Sequence, residues 1–238
     1  MTFKDLPLVS FVMSVHNSSN TVRKSIDSML AQQYENIEIL IMDDGSSDNT
    51  YEIIKSYEVN SKIVKIFKNS KNIGLTKSLN KLINLSTGKF IARQDSDDVS
   101  DVSRIEKQLN AIKEYNLDFC SSRAINISTN GIIPRYSNYL PKKMLIKYKN
   151  PFIHGTLLIK KDVIQEIGNY DERFYYSQDY KLMKDLLEKG YRYKVLNEAL
   201  YFLNTENNIS NIFKKEQEYY ANCVKSGISP DHEYLEKI

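Results

Sequence analysis

The chain of 238 residues carries 41% hydrophobic and 26% charged side chains, enough apolar material to close a core unaided and too much for wholesale disorder. A formal net charge of +3 excludes the strongly basic footprint of a dedicated nucleic-acid binder. The two cysteines, Cys120 and Cys223, are far apart and make no CxxC pair, so no disulfide framework or zinc site is expected and a reducing compartment is.

The first half alternates strand-like and helix-like patterns. Val9–Val15 is a short apolar run suited to a buried strand. The turn-forming cluster Asn17–Thr21 follows, then Val22, Ile26, Met29 and Leu30 at the spacing of one helix face. A second strand, Ile37–Met42, stops at Asp43-Asp44-Gly45-Ser46-Ser47-Asp48. A helix near Thr50–Tyr57, a strand near Ile63–Phe67 and a helix with Leu75, Leu79, Leu82 and Ile83 on one face come next. Phe90-Ile91-Ala92 then runs into Arg93-Gln94-Asp95-Ser96-Asp97-Asp98. This alternation predicts an α/β fold with a mainly parallel sheet covered on both faces. Ligands bind such sheets beyond the carboxyl ends of the strands, where both acidic clusters fall.

The second half is less regular. A helix carrying Ile105, Leu109 and Ile112, a strand over Asp118–Ala124, a polar stretch over Asn126–Tyr139, a strand over His154–Ile159 and a helix over Gln178–Lys189 are expected. Residues 1–203 read as one domain, with a nucleotide-binding half at about 7–100 and an acceptor-side half at about 101–203. Residues 204–238 read as a polar tail with a helix near Phe213–Lys225. No run of about 18 apolar residues predicts a membrane span, and Met1–Pro7 lacks the pattern of a signal peptide. A cytoplasmic protein is expected.

Neighbouring carboxylates at a strand end repel one another, and a divalent ion with oxygen preference, Mg²⁺ or Mn²⁺, would relieve them. An acidic loop that caps the following helix is the plain alternative for Asp95–Asp98. Asp43–Ser46 has the same two readings: a strand-to-helix turn with Gly45 at positive φ, or a carboxylate that meets a nucleobase or ribose.

The ordered series Val12–Asn17, Ile41–Asp48, Asn72-Ile73-Gly74-Leu75, Asp95–Asp98, His154-Gly155 and Gln178-Asp179-Tyr180 resembles the family-2 glycosyltransferases of the GT-A fold, over roughly Pro7 to Tyr201. The resemblance implies a Rossmann-like, mainly parallel sheet with a smaller irregular acceptor-side half. It also implies a nucleoside diphosphate sugar donor, a uridine one first, and a bound Mn²⁺ or Mg²⁺. Carried over residue by residue, Ser14, His16, Asp43, Asp44, Lys77 and Asp95 meet the nucleotide, with Asp44 as the base reader. Asp97 with Asp95 and His154 holds the metal, and Asp98 and Gln178 face the sugar or acceptor. Asp179 is the catalytic base, and the reaction inverts the anomeric carbon. The acceptor it implies is a glycan or lipid-linked glycan of a bacterial surface polysaccharide.

The chain departs from the family pattern at Met183 and Asp185, where an aromatic and a basic residue are usual, and at Asn204 and Glu206, where Arg and His are usual. Those departures keep a non-catalytic binder of nucleotide or glycan as the alternative. A nucleotidyltransferase would need a Gly-rich, basic loop after the first strand, and Asn17–Asn20 is neither. Lys142, Lys143, Lys147, Lys149, Lys214 and Lys215 are a solvated face or a contact with the inner face of a membrane.

Overall fold

The computed structural model describes residues 6–205 and 213–231. Its first half follows the apolar periodicity closely. The elements are β1 (Val9–Val15), α1 (Val22–Leu30), β2 (Ile37–Asp43), α2 (Thr50–Asn60), β3 (Val64–Lys68), α3 (Leu75–Leu85), β4 (Phe90–Arg93), β5 (Val99–Ser100) and α4 (Arg104–Tyr115). There follow β6 (Phe119–Asn126), β7 (Gly131–Ile133), a 3-10 turn at Tyr136–Tyr139, α5 (Lys142–Leu145), a 3-10 turn at His154–Thr156, β8 (Leu158–Lys160), α6 (Lys161–Glu166), α7 (Gln178–Glu188), β9 (Tyr193–Leu203) and α8 (Lys214–Ser226).

The strands lie in the order β3-β2-β1-β4-β8-β6-β9-β5, with β7 beside β6. β3, β2, β1 and β4 are parallel, so the sequential β-α-β units place their loops at one edge. β1 has β2 on one side and β4 on the other, which makes its carboxyl end the switch point of the sheet. Asp43 and the Asp95–Asp98 loop both open there.

Alternation along the strands separates two apolar layers. Phe11, Met13, Ile39 and Ile41 pack with Ile26, Met29, Ile54 and Ile105 from α1, α2 and α4. Val12, Leu40 and Met42 pack with Leu79, Leu82, Met183 and Leu186 from α3 and α7. α8 lies within the segment read as a polar tail, yet it adds Tyr220, Cys223 and Val224 to this second layer. Both cysteines are free and buried.

The expected strand at His154–Ile159 is corrected. Leu157 N donates to His154 O at 3.1 Å and Thr156 N to Ile153 O at 3.1 Å, which turns the chain before β8 begins. β9 and β5 carry no clean alternation, and pairing alone defines them: Val99 faces Phe202 and Ser100 faces Tyr201.

Glu38 pins the opposite end of the sheet. Its carboxylate accepts from Ser10 Oγ at 2.7 Å, Lys65 Nζ at 2.8 Å, Thr87 N at 2.6 Å and Thr87 Oγ1 at 2.8 Å. Burial pushes its pKa up, but these donors outweigh burial and hold it at about 2. A depressed carboxylate contributes stability that is present above its ordinary value of 4.5 and is lost as pH falls toward about 2. Glu38→Gln is therefore expected to cost about 2–3 kcal/mol at neutral pH. Urea unfolding at pH 7 and pH 3 checks this, because the gap between variant and parent should shrink at the lower pH.

Candidate active site

Asp44 begins the turn after β2. Its carboxylate accepts from Asn69 Nδ2, Ile73 N and Gly74 N, each at 2.9 Å. Those bonds tie the end of β2 to the loop ahead of α3. Asp43 is different: Oδ1 accepts from Ser46 N at 3.2 Å, while Oδ2 is buried without a hydrogen-bond partner. Lys68 Nζ stands 4.0 Å from it, outside hydrogen-bond reach. A buried acceptor left open costs about 1–3 kcal/mol. Asp44 therefore ties the loop, while Asp43 keeps one buried carboxylate oxygen with no hydrogen-bond partner. Gly45 takes the expected positive φ of 70°.

The β1–α1 loop is stitched to the same turn. Asn17 Oδ1 accepts from Ser47 N at 2.9 Å, and Asn17 N donates to Ser46 Oγ at 3.0 Å. His16 is exposed, with Nδ1 3.0 Å from Asp44 O. Ser14 is half-buried near the end of β1, and Lys77 is exposed in the first turn of α3.

The second acidic cluster rests on two buried arginines. Arg93 bonds Asp95 Oδ1 through Nη2, and its Nε is buried without a partner. Arg104 donates to Ser100 Oγ at 2.8 Å and to Arg93 O at 2.9 Å, beneath the ring of Tyr201 at 5.2 Å. Burial lowers the Arg104 pKa to about 10, which leaves it protonated. Gln94 completes the floor, since Nε2 donates to Asp98 O at 3.0 Å and Oε1 accepts from Ser100 Oγ at 2.7 Å.

Tyr201 caps this arrangement from the second half of the chain. Its hydroxyl oxygen accepts from Asp95 N at 3.1 Å, and its hydroxyl hydrogen goes to the Asp98 carboxylate. Asp98 also accepts from Asn204 N at 2.7 Å and is almost wholly buried. Burial, then Asp95 and Asp97, push its pKa up to about 8. Asp98 therefore supports the loop and is not placed to meet a sugar. Asp97 stays half-buried, and burial followed by Asp95 raises it to about 6.

Across the site, Asp179 lies in the first turn of α7 and its Oδ2 accepts from Asn150 Nδ2 at 2.7 Å. Gln178 is buried at the start of that helix. His154 Nε2 lies 2.7 Å from Tyr170 Oη. Burial, then Arg93, lower the His154 pKa to about 4, so the ring is neutral. His154 is thus paired with Tyr170 through Nε2. Asp95 and Asp179 both act electrostatically on His154 and on Tyr170, so the acidic loop and α7 flank one His–Tyr pair, half-buried at His154 and buried at Tyr170.

Among the described residues, no group of three or more His, Cys, Asp or Glu side chains is placed to hold a metal ion. Asp95 and Asp97 remain a two-carboxylate oxygen set, with Asp97 raised to about 6, which suits an ion that takes its other ligands from phosphate and water. Of the departures from the family pattern, Met183 is buried in the core and Asp185 is held by Lys181 at 2.6 Å. Asn204 serves Asp98 through its backbone, and Glu206 lies outside the described residues.

Sequence reading missed Arg93, Arg104, Tyr201, Asn150 and Tyr170. A charge closing the apolar run Phe90-Ile91-Ala92-Arg93 was a signal for the first. Arg104 and Gln108 share the buried face of α4 with Ile105 and Ile112, which was a signal for the second. The other three are brought in only by tertiary contacts.

A mainly parallel sheet with carboxylates gathered at its switch point is an α/β architecture with a ligand crevice at that edge. Residues 10–191 match Glycosyl transferase family 2, and the chain belongs to that family. It is 32% identical to the O-antigen biosynthesis glycosyltransferase WbnJ of Escherichia coli, over all of this chain and 92% of that protein. It is 31% identical to the UDP-Glc:alpha-D-GlcNAc-diphosphoundecaprenol beta-1,3-glucosyltransferase WfgD of Escherichia coli, over 76% of this chain and 70% of that one. Two solved structures show the fold. The first is S. aureus TarS 1–349 in complex with UDP-GlcNAc, with TM-score 0.73, 18% identity, 84% of this chain and 59% of that chain. The second is the mannosyltransferase PcManGT of Pyrobaculum calidifontis with GDP-Man and Mn2+, with TM-score 0.74, 13% identity, 94% of this chain and 66% of that chain. The expected GT-A fold is borne out. No helix among the described residues is long and apolar enough to cross a membrane.

Proposed function

We propose that the protein moves a sugar from a nucleoside diphosphate sugar, UDP-linked first, to a hydroxyl of a growing, lipid-linked surface glycan, with inversion at the anomeric carbon. The observation that supports this reading is Asp179 held by Asn150 and acting with Asp95 on the same His154–Tyr170 pair. A carboxylate so fixed can take the proton of an acceptor hydroxyl as its oxygen bonds the anomeric carbon. The bond from that carbon to the diphosphate breaks on the opposite face. Asp43 offers Oδ2 to the base or ribose, with Ser14, His16 and Lys77 at the same edge. Gln178 adjoins the base and faces the sugar or acceptor. Asp95 and Asp97 would hold Mn²⁺ or Mg²⁺, which supplies neutralisation of charge on the departing diphosphate. The UDP-Glc donor and the lipid-linked acceptor for which WfgD is named support this substrate class.

The test is a panel of nucleotide-sugars with Mn²⁺, with and without chelator, read by released nucleoside diphosphate. Release from one donor, abolished by chelator and lowered at least about tenfold by Asp97→Ala, is expected. A ligand carboxylate must be deprotonated to bind metal. With Asp97 at about 6, Mn²⁺ affinity should fall as pH drops below that value and level off above it. Absence of both turnover and calorimetric donor binding across the panel would overturn the reading in favour of a fold without its substrate.

A further inference from the structure

We infer that residues 131–149 form a face that docks on an anionic lipid surface. From Gly131 to Lys149 the chain holds Arg135, Lys142, Lys143, Lys147 and Lys149 and no Asp or Glu. Among them stand large side chains that a soluble surface has no reason to display together: Tyr136 is 84% exposed, Tyr139 71% and Tyr148 70%, with Met144 at 54%. Tyrosine has an apolar body and a polar tip, which suits the headgroup layer, and lysine adds attraction to anionic lipid. The combination selects an anionic membrane over an acidic protein, because the exposed tyrosines are interleaved with basic residues along the segment, and Tyr136 and Tyr139 line a wide, open groove with Arg123 and Arg135 rather than a closed apolar pocket.

Lys142 does not belong to the contact. It is buried and donates to Ser137 O at 2.9 Å and Asn138 O at 2.8 Å, which fixes the turn that carries Tyr136 and Tyr139. Lys214 and Lys215 are followed by Glu216 and Glu218, so their charge is offset. Within the face, Arg123 and Arg135 line an open groove of about 380 Å³ that can take a lipid phosphate. The segment is anchored to the site: Tyr180 Oη donates to Ile146 O at 2.6 Å, and Asn150, one residue past Lys149, holds Asp179. A bilayer touching this face would present a lipid-linked hydroxyl beside the base. That consequence rests on the proposed function, whereas the docking does not.

The test is co-sedimentation of the full chain with vesicles of phosphatidylcholine alone and with phosphatidylglycerol as a third of the lipid. Binding to the anionic vesicles only, weakened by high salt, is expected. At about fivefold in partitioning per basic residue, K143E/K147E/K149E should lower binding by well over tenfold. Y136S/Y139S/Y148S should lower it too, with unchanged salt dependence. A charge-matched control, K24E/K62E/K113E, places the same three reversals elsewhere on the surface and should bind nearly as the parent does. Equal binding to both vesicle types, no binding to either, or equal loss in the control overturns the proposal. Donor hydrolysis without acceptor, measured on the Lys143/Lys147/Lys149 variant, should match the parent, which separates failure of docking from failure of the transferase reading.

Discussion

Asp179→Asn is expected to lower turnover by about 10²–10⁴-fold while leaving donor affinity within about twofold of the parent. The substitution preserves size and the hydrogen bond to Asn150 Nδ2, which an amide oxygen can still accept. What it removes is the oxygen proposed to take the acceptor's proton. Asn150→Ala should show a smaller loss, about tenfold, because the base is retained and only its aim is relaxed. The measurement is kcat with donor and acceptor saturating, beside calorimetry of the donor. Retention of more than about a tenth of turnover by Asp179→Asn would remove Asp179 from the role of base. A chain that binds donor with no turnover to lose would be the non-catalytic binder instead.

Gly155→Ala is expected to damage both stability and turnover from a position outside the proposed catalytic groups. A Cβ at residue 155 would lie 2.3 Å from Tyr201 Oη and 2.5 Å from its Cζ. The ring is wholly buried and has Arg104 behind it, so it has no room to retreat. Its displacement would free Asp95 N and the Asp98 carboxyl, and with them the shape of the Asp95–Asp98 loop. A loss of about 2–4 kcal/mol follows from overpacking plus the orphaned polar groups, read as a fall in melting temperature of about 5–15 °C. Metal-dependent release should drop beyond tenfold even where the variant is folded. Tyr201→Phe separates the two effects, since it keeps the ring and loses only the hydroxyl bonds, at about 1–3 kcal/mol. A Gly155→Ala protein with parental melting temperature and activity would show that the close approach to Tyr201 is not needed.

These two residues mark the boundary between what is local and what is not. Asp179 could be proposed from its neighbours Gln178 and Tyr180 and from its order after the earlier motifs. Gly155 was legible only as part of His154-Gly155, and its physical role required the ring of Tyr201, forty-six residues away in sequence. The acidic loop behaves similarly. Asp95, Asp97 and Asp98 look equivalent on paper, yet Asn204 and Tyr201 draw Asp98 inward and leave Asp95 and Asp97 toward the open side. Asp43 and Asp44 likewise share one local pattern, and only the bonds from Asn69, Ile73 and Gly74 set Asp44 apart as the carboxylate that holds the loop.

The sequence by itself determined the β-α-β half, from Val9 to Arg93. Strand and helix there are set by apolar periodicity within windows of ten residues, and parallel strands joined by helices have few ways to pack. It also determined that the carboxylates gather at one sheet edge, because each follows a strand directly. Tertiary structure decided the second half, where β9 and β5 exist through pairing with distant partners and where α8 joins the core through three side chains on an otherwise polar helix. It alone decided which carboxylate holds a loop and which is left open. Those choices depend on donors from across the chain, and long-range hydrogen bonds leave no periodic trace in the residues that accept them.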